Sequence, residues 1–395
     1  MIRVTKEIVG CDDFELGIKR ETPLKYILTY PKNVVPKAIV FIIPGFGEDT
    51  NSGYMEHVSK YVAENFSVGV VNVFYHCFNS RETNGATLEF DDFDIDVLKR
   101  VIHKYDIDFS NVGEITKESV IQRLSAENKE MSISMTLVPS NEEYQNFGVM
   151  QALDHLYVLE DIKKMSGLEG VDKVICIGSS HGGYIANMIA KIDPNAIDYV
   201  IDNSSYTKAP LNYVVGKDIN IDFSEFRVIN KKVTINCFVQ TYWTTKESSQ
   251  YYFSDDRKSI RNLNNTEHIK TMAQNANSKT KYIFYHSSED ALAPVADKIA
   301  YSKTLESYGF ECTLKIVSKQ EDVDGKFIKN LHHGMGMSMK ELINIELPFI
   351  LKEFEEQKNI SNIQNATTYK CSDITYVFDL SESKCINNEK KDEIS

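Results

Sequence analysis

No uninterrupted apolar stretch in these 395 residues approaches the ~20 that a membrane-crossing helix needs, so no membrane span is expected. The first residues, Met1-Ile2-Arg3-Val4-Thr5-Lys6-Glu7, lack the apolar core of a secretory signal. Seven cysteines carry no Cys-x-x-Cys pair and no regular spacing, which reads as reduced thiols and not as a disulfide framework. The expected compartment is therefore the cytoplasm. Basic charge is also short: 44 Lys and Arg face 57 Asp and Glu, for a formal charge of −13. That balance argues against a phosphate-binding footprint for nucleic acid and against a polybasic membrane patch. No internal repeat is present.

A nucleotide fingerprint is missing too. The Gly-x-Gly that follows the first buried run, Gly45-Phe46-Gly47, continues into Glu48 and Asp49, which sets two acids where phosphates would sit. Asp322-Val323-Asp324-Gly325 resembles the start of a calcium loop but lacks the glutamate at the twelfth position. Asp91-Asp92-Phe93-Asp94-Ile95-Asp96 reads as an acidic helix start. No metal or cofactor is expected.

What the chain does have is core. Apolar residues make up 42% of it, and several runs lack alternation: Ala38–Ile43, Val68–Tyr75 and Val174–Ile177. Such runs are strands covered by helices on both faces. Two alternating stretches, Phe14–Ile18 and Leu24–Tyr30 with Thr22 and Pro23 between them, predict an antiparallel hairpin. Further strands are expected at Tyr199–Ile201, Lys281–Tyr285 and Cys312–Val317, with helices near 55–64, 295–308 and 338–357. Ser140-Asn141-Glu142-Glu143 reads as a capping box opening a helix that carries Tyr144, Phe147, Met150, Leu153, Leu156 and Leu159.

The alternation of strands and helices predicts an α/β fold: a doubly wound, mostly parallel sheet with antiparallel N-terminal strands. The main domain is expected over 1–357, interrupted by an insertion at about 78–140. A cap or lid is expected at about 207–270, rich in aromatics, followed by a polar tail over 358–395 whose last ten residues are expected to be mobile. Most cap aromatics read as its own core. Tyr242 and Trp243 are the better candidates for a substrate pocket.

The chemistry is concentrated at Gly178-Ser179-Ser180-His181-Gly182, directly after the run Val174–Ile177 and before Gly183–Met188. A buried strand that bends sharply into a helix pushes the middle serine's Oγ out of the sheet edge. The bland alternative is a glycine-rich turn whose serine merely caps a helix. A serine hydroxyl needs a base, an acid to orient that base, and donors for an oxyanion. After the strand Lys281–Tyr285, Asp290 is the chosen acid, with Glu289 next and Asp202 a distant third. The base is expected in Asn330-Leu331-His332-His333-Gly334. His333 is favoured over His332, because Gly334 lets the following backbone turn away. Oxyanion donors are expected at the amides of His181 and Phe46.

With Ser180, Asp290 and His333 in that order, the chain resembles the α/β-hydrolase superfamily over roughly residues 10–357. The segments Phe41–Gly47 and Gly178–Gly183 are similar to a poorly characterised bacterial family associated with flagellin and surface-sugar modification loci. That likeness implies an acyl-group enzyme acting on a nonulosonic-acid or related sugar. The long 78–140 segment and the doubled histidine depart from the pattern. The expected function is a serine esterase or thioesterase acting on a small acyl ester or acylated sugar. Acyl transfer to a sugar hydroxyl or amine is one alternative, and a binding protein on a hydrolase scaffold is another.

Overall fold

A computed structural model describes residues 1–48, 52–224, 226–230, 232–356, 366–380 and 384–389. The described residues form two compact units. One draws on Met1–Tyr75, Gly148–Lys208 and Asp255–Ser395, the other on His76–Phe147 and Ala209–Ser254. Element numbers below run along the chain through both.

The second unit contains a four-stranded sheet of β5 (Thr87–Glu89), β6 (Met131–Val138), β9 (Phe226–Asn230) and β10 (Val233–Val239), in the order β5-β6-β10-β9. Its centre is the parallel pair β6–β10, which joins segments a hundred residues apart. The segments expected as a separate insertion and cap thus share one sheet. The helices α2 (Asp92–Tyr105), α3 (Lys117–Ser125) and the short α6 (Leu211–Val214) and α7 (Gly216–Ile219) also belong to this unit. Asp91 caps α2 by accepting the Asp94 N–H at 2.9 Å, so the acidic run is a helix start.

The first unit is built on an eight-stranded sheet. Its strands are β1 (Ile2–Ile8), β2 (Leu24–Tyr30), β3 (Ile39–Ile43), β4 (Gly69–Phe74), β7 (Val174–Ser179), β8 (Tyr199–Asn203), β11 (Lys281–Ser287) and β12 (Cys312–Val317). They lie in the order β1-β2-β4-β3-β7-β8-β11-β12. The pairs β1–β2 and β2–β4 are antiparallel, and every later pair is parallel. This is the α/β-hydrolase fold, with a doubly wound sheet and an antiparallel start. Ile43 pairs with Gly178, Gly178 with Asp202 and Asn203 with Tyr285, so the carboxyl ends of β3, β7, β8 and β11 finish abreast.

Both sheet faces are covered, which is why β3 is buried at every position. Val40 and Ile42 join Ile175, Ile177 and Ile201 in a core with Val58 and Val62 of α1 (Gly53–Phe66) and with Leu342 and Leu347 of α11 (Met339–Glu356). On the other face Phe41 meets His155 of α4 (Val149–Lys163) at 5.7 Å. Burial of one such aliphatic side chain stabilises by roughly 1.5–3 kcal/mol. The remaining helices of this unit are α5 (His181–Ile192), α8 (Asp255–Ile260), α9 (Thr266–Asn275) and α10 (Val295–Ser307). The expected cap boundary near 270 therefore overshoots, since α8 and α9 belong here.

Three local expectations are corrected. Ser140–Glu142 is a single 3-10 turn with Asn141 and Glu142 left-handed (φ 66° and 58°), and the helix opens only at Val149 behind Gly148 (φ 94°). The Glu143 carboxylate accepts the Cys77 N–H at 2.9 Å, so it does not cap a helix. Phe14–Ile18 is not a strand but a turn, closed by the Asp13–Ile18 bridge, and β2 pairs instead with β1. The polar tail is folded: β13 (Thr367–Lys370), β14 (Ile374–Asp379) and β15 (Lys384–Glu389) form an antiparallel sheet. Of the ten residues expected to be mobile, 386–389 lie in β15 and the rest fall outside the described residues. Burial of Tyr369, Tyr376 and Phe378 anchors this sheet, and Tyr376 donates to Glu15 Oε1 at 2.9 Å. Glu15 is also held by a buried ion pair with Arg261. Among the described residues no helix is long and apolar enough to cross a membrane.

Candidate active site

The bend after β7 is tight because its glycines cannot be replaced without collision. A Cβ on Gly178 would lie 2.3 Å from the Gly182 carbonyl carbon, and one on Gly182 would lie 2.1 Å from the Ile43 oxygen. Ser180 sits at the bend with φ 52° and ψ −118°, a region costly for a residue with a side chain, by about 1–3 kcal/mol. Its N–H is held by the Asn203 carbonyl at 2.7 Å and α5 begins at the next residue, His181. The strain persists because strand pairing on both sides over-determines it.

Ser180 Oγ lies 2.7 Å from His333 Nε2. His333 Nδ1 lies 2.8 Å from Asp290 Oδ2 and 3.0 Å from Oδ1. Each member stands on its own loop at the carboxyl edge of the sheet. His333 opens a short 3-10 turn in which Gly334 and Met335 are left-handed (φ 72° and 55°), and Asn203 Nδ2 donates to the Gly334 carbonyl at 3.1 Å. Asp290 is 7% exposed, and its Oδ1 also accepts the Leu292 and Ala293 amides, both at 2.9 Å. Burial works to raise the Asp290 pKa. The hydrogen bond from His333 and those from the Ala293 and Leu292 amides outweigh it and hold the carboxyl below its usual value. An imidazole so placed is positioned to accept the serine proton at Nε2 while its Nδ1–H stays on the carboxylate.

The rival residues stand elsewhere. Glu289 is exposed. His332 is exposed, and its carbonyl accepts the Met335 N–H at 2.8 Å. Asp202 is buried and engaged by Lys298 Nζ and Ser205 Oγ, each at 2.6 Å, and by Asn187 Nδ2 at 2.9 Å.

His181 follows the serine with its side chain fully buried. Its Nε2–H donates to Gln151 Oε1 at 2.8 Å, and its ring meets Phe46 edge-on at 5.3 Å. Burial pushes its pKa down to about 3, so the ring is neutral and acts as packing at the elbow. Phe46 follows β3 in a loop where the Glu48 carboxylate accepts the Gly45 N–H at 2.8 Å. The backbone amides of Phe46 and His181 thus belong to the two segments that bracket the serine.

Of the aromatic pocket candidates, Trp243 is 3% exposed within the second unit, donates Nε1–H to the Asn146 carbonyl at 3.2 Å and packs on Phe253 at 5.5 Å. That is core, which corrects the expectation. Tyr242 is 39% exposed and packs edge-on against Tyr144 at 4.7 Å. Residues that sequence reasoning missed are Asn203 and Ser287. The Ser287 hydroxyl accepts the Glu289 N–H at 3.1 Å and donates to the Leu331 carbonyl, which ties the acid loop to the base loop. Nothing in their local sequence distinguishes them from other strand-end residues. Among the described residues no group of three or more His, Cys, Asp or Glu side chains is placed to hold a metal ion.

The chain belongs to the family described as "Protein of unknown function (DUF2920)", whose profile matches residues 4–386. No protein with a curated description matches it. Among solved structures it is similar to Est1E from Butyrivibrio proteoclasticus, with 13% identity over 89% of this chain and 99% of that one, at a TM-score of 0.44. Esterase Est22 is 11% identical over 90% of this chain and 80% of that one, at 0.47. The acylaminoacyl peptidase of Pyrococcus horikoshii is 13% identical over 91% of this chain at 0.45, and the chain spans 43% of its length. Identities this low transfer no substrate.

Proposed function

We propose that this family member is a serine hydrolase that cleaves a carboxylic ester or thioester through an acyl-enzyme on Ser180. The observation that carries the reading is the continuous relay from Ser180 Oγ through both nitrogens of His333 to a buried Asp290. His333 Nε2 takes the hydroxyl proton as Oγ adds to the substrate carbonyl. The amides of His181 and Phe46 receive the negative oxygen. The proton then passes to the leaving oxygen, or to the leaving sulfur of a thioester, and the C–O or C–S bond breaks. Water, activated by the same imidazole, releases the acid. Asp290 keeps the imidazole in the productive tautomer throughout.

The acylated surface sugar implied by the family resemblance enters as one substrate to be tried beside simple esters. The test is fluorophosphonate labelling together with acetyl-ester hydrolysis, on wild type and Ser180→Ala. Wild type labels and turns over, while the variant does neither, with a loss of roughly 10⁶-fold in kcat. Equal labelling and turnover in both proteins would sink the assignment.

A further inference from the structure

A cavity of about 280 Å³ lies in the first unit and is lined by Ser179, the residue before the nucleophile. Part of its wall comes from three places that the chemistry already uses, and Tyr54 and Met55 of α1 with Leu342 of α11 form another part. Pro44 follows β3 directly. Ser179 precedes the serine and Asn203 supplies the carbonyl that holds its amide. Met337 and Met339 follow the 3-10 turn that begins at His333. We infer that this cavity is the subsite for the leaving alcohol, and that it takes a small apolar alcohol without negative charge. The inference rests on the hydrolase reading above and deepens it.

The side on which the alcohol lies follows from the proton. His333 Nε2 must deliver to the leaving oxygen the proton it took from Ser180, so that oxygen comes within hydrogen-bond reach of the same nitrogen. The carbonyl oxygen turns to the amides of Phe46 and His181. Whatever is attached to the leaving oxygen therefore extends past the imidazole, into space bounded by the residues after His333. Those residues are methionines, unbranched and polarisable, which fit apolar groups of varied shape. The volume falls below the roughly 300–1,000 Å³ of pockets that hold a whole drug-sized ligand, so it suits one half of an ester. Glu48 adds a sign. It lines the same cavity, exposed, and its carboxylate is held by the Gly45 N–H at 2.8 Å. A second negative charge nearby is repelled, by on the order of tenfold in a partly solvated site.

The test holds the acyl group constant and varies the alcohol. Ethyl, butyl, 3-carboxypropyl and trimethylammonioethyl acetates are compared by kcat/KM on the full chain. Butyl exceeds ethyl by about fifteenfold, as expected from roughly fourfold for each of two buried methylenes. Carboxypropyl falls at least tenfold below butyl, and the cationic ester does not. Glu48→Gln keeps an acceptor for Gly45 and raises the carboxypropyl rate about tenfold relative to butyl. Met337→Phe and Met339→Phe, each checked by thermal unfolding, erase the butyl preference. If these variants instead alter selectivity among acyl lengths of ethyl esters, the cavity holds the acyl chain and the assignment is overturned. Indifference to the alcohol in every variant overturns it too. So does turnover of none of the four esters by a protein whose Ser180 still labels. Loss of labelling itself would mark failure of the hydrolase reading, and the subsite falls with it.

Discussion

Two carboxylates sit at the carboxyl ends of neighbouring strands, and they are used in opposite ways. Asp202, in β8, faces a fully buried Lys298 at 2.6 Å, with Ser205 and Asn187 completing its hydrogen bonds. Asp290, in the loop after β11, faces an imidazole at 2.8 Å. A lysine partner carries a charge of its own, and a buried ion pair of that kind is a fixed piece of architecture. An imidazole partner can gain and lose a proton, so its carboxylate can stabilise a charge that comes and goes. The first arrangement braces the underside of α5, where a Cβ on Gly183 would meet Asp202 Oδ1 at 2.5 Å. The second reaches the serine. Being a buried acid near the elbow is therefore not enough to make a catalytic group, and the partner's chemistry decides.

The contrast breaks most visibly in Asp290→Asn. The asparagine oxygen can still accept the Leu292 and Ala293 amides, so the loop keeps its shape. It no longer holds the tautomer with a proton on Nδ1. The expected result is a fall of about 10⁴ in kcat with a thermal midpoint close to wild type. Equal activity in this variant would mean that the relay is not used.

Lys298→Met should do the reverse. It strands a buried carboxylate, so stability in urea falls by about 3–5 kcal/mol while the folded fraction keeps its kcat. Adding Asp202→Asn to that variant recovers most of the loss, because the pair is removed as a unit. A double variant as unstable as the single one would show that Lys298 acts through something other than Asp202.

How much of this was legible beforehand follows the range of the interactions. The elbow was readable because its requirements are local: an apolar run, glycines at fixed offsets, a serine and a helix. Sequence favours His333 over His332 on the backbone freedom of Gly334, and Gly334 is left-handed in the structure (φ 72°). The misread segments are those where a distant partner overrode a local signal. Glu143 looked like part of a capping box until Cys77, 66 residues away, claimed its carboxylate. Phe14 and Glu15 alternate as in a strand, yet they serve a buried cluster with Arg261, Tyr376 and Phe378. The pairing of β6 with β10 left no trace in either segment alone. The tail's apolar positions, Tyr369, Tyr376 and Phe378, were diluted among polar residues, although the alternating burial of β13 and β14 is a strand pattern.

The smallest expected effect concerns pH, and it separates the two carboxylates once more. Asp290 has a folded pKa below its ordinary value, because the His333 and backbone hydrogen bonds outweigh its burial. A depressed carboxyl adds stability that is complete above the unfolded pKa of ~3.9 and is lost as pH falls through the folded value. Wild type should therefore hold a modest advantage over Asp290→Asn near neutral pH, and the two unfolding midpoints should converge as the pH drops below about 4. Thermal unfolding of both proteins between pH 3 and 7 measures this directly. A gap that instead widened toward acid would mean that the folded state favours the protonated carboxyl, and the balance of burial against hydrogen bonding drawn for Asp290 would be reversed.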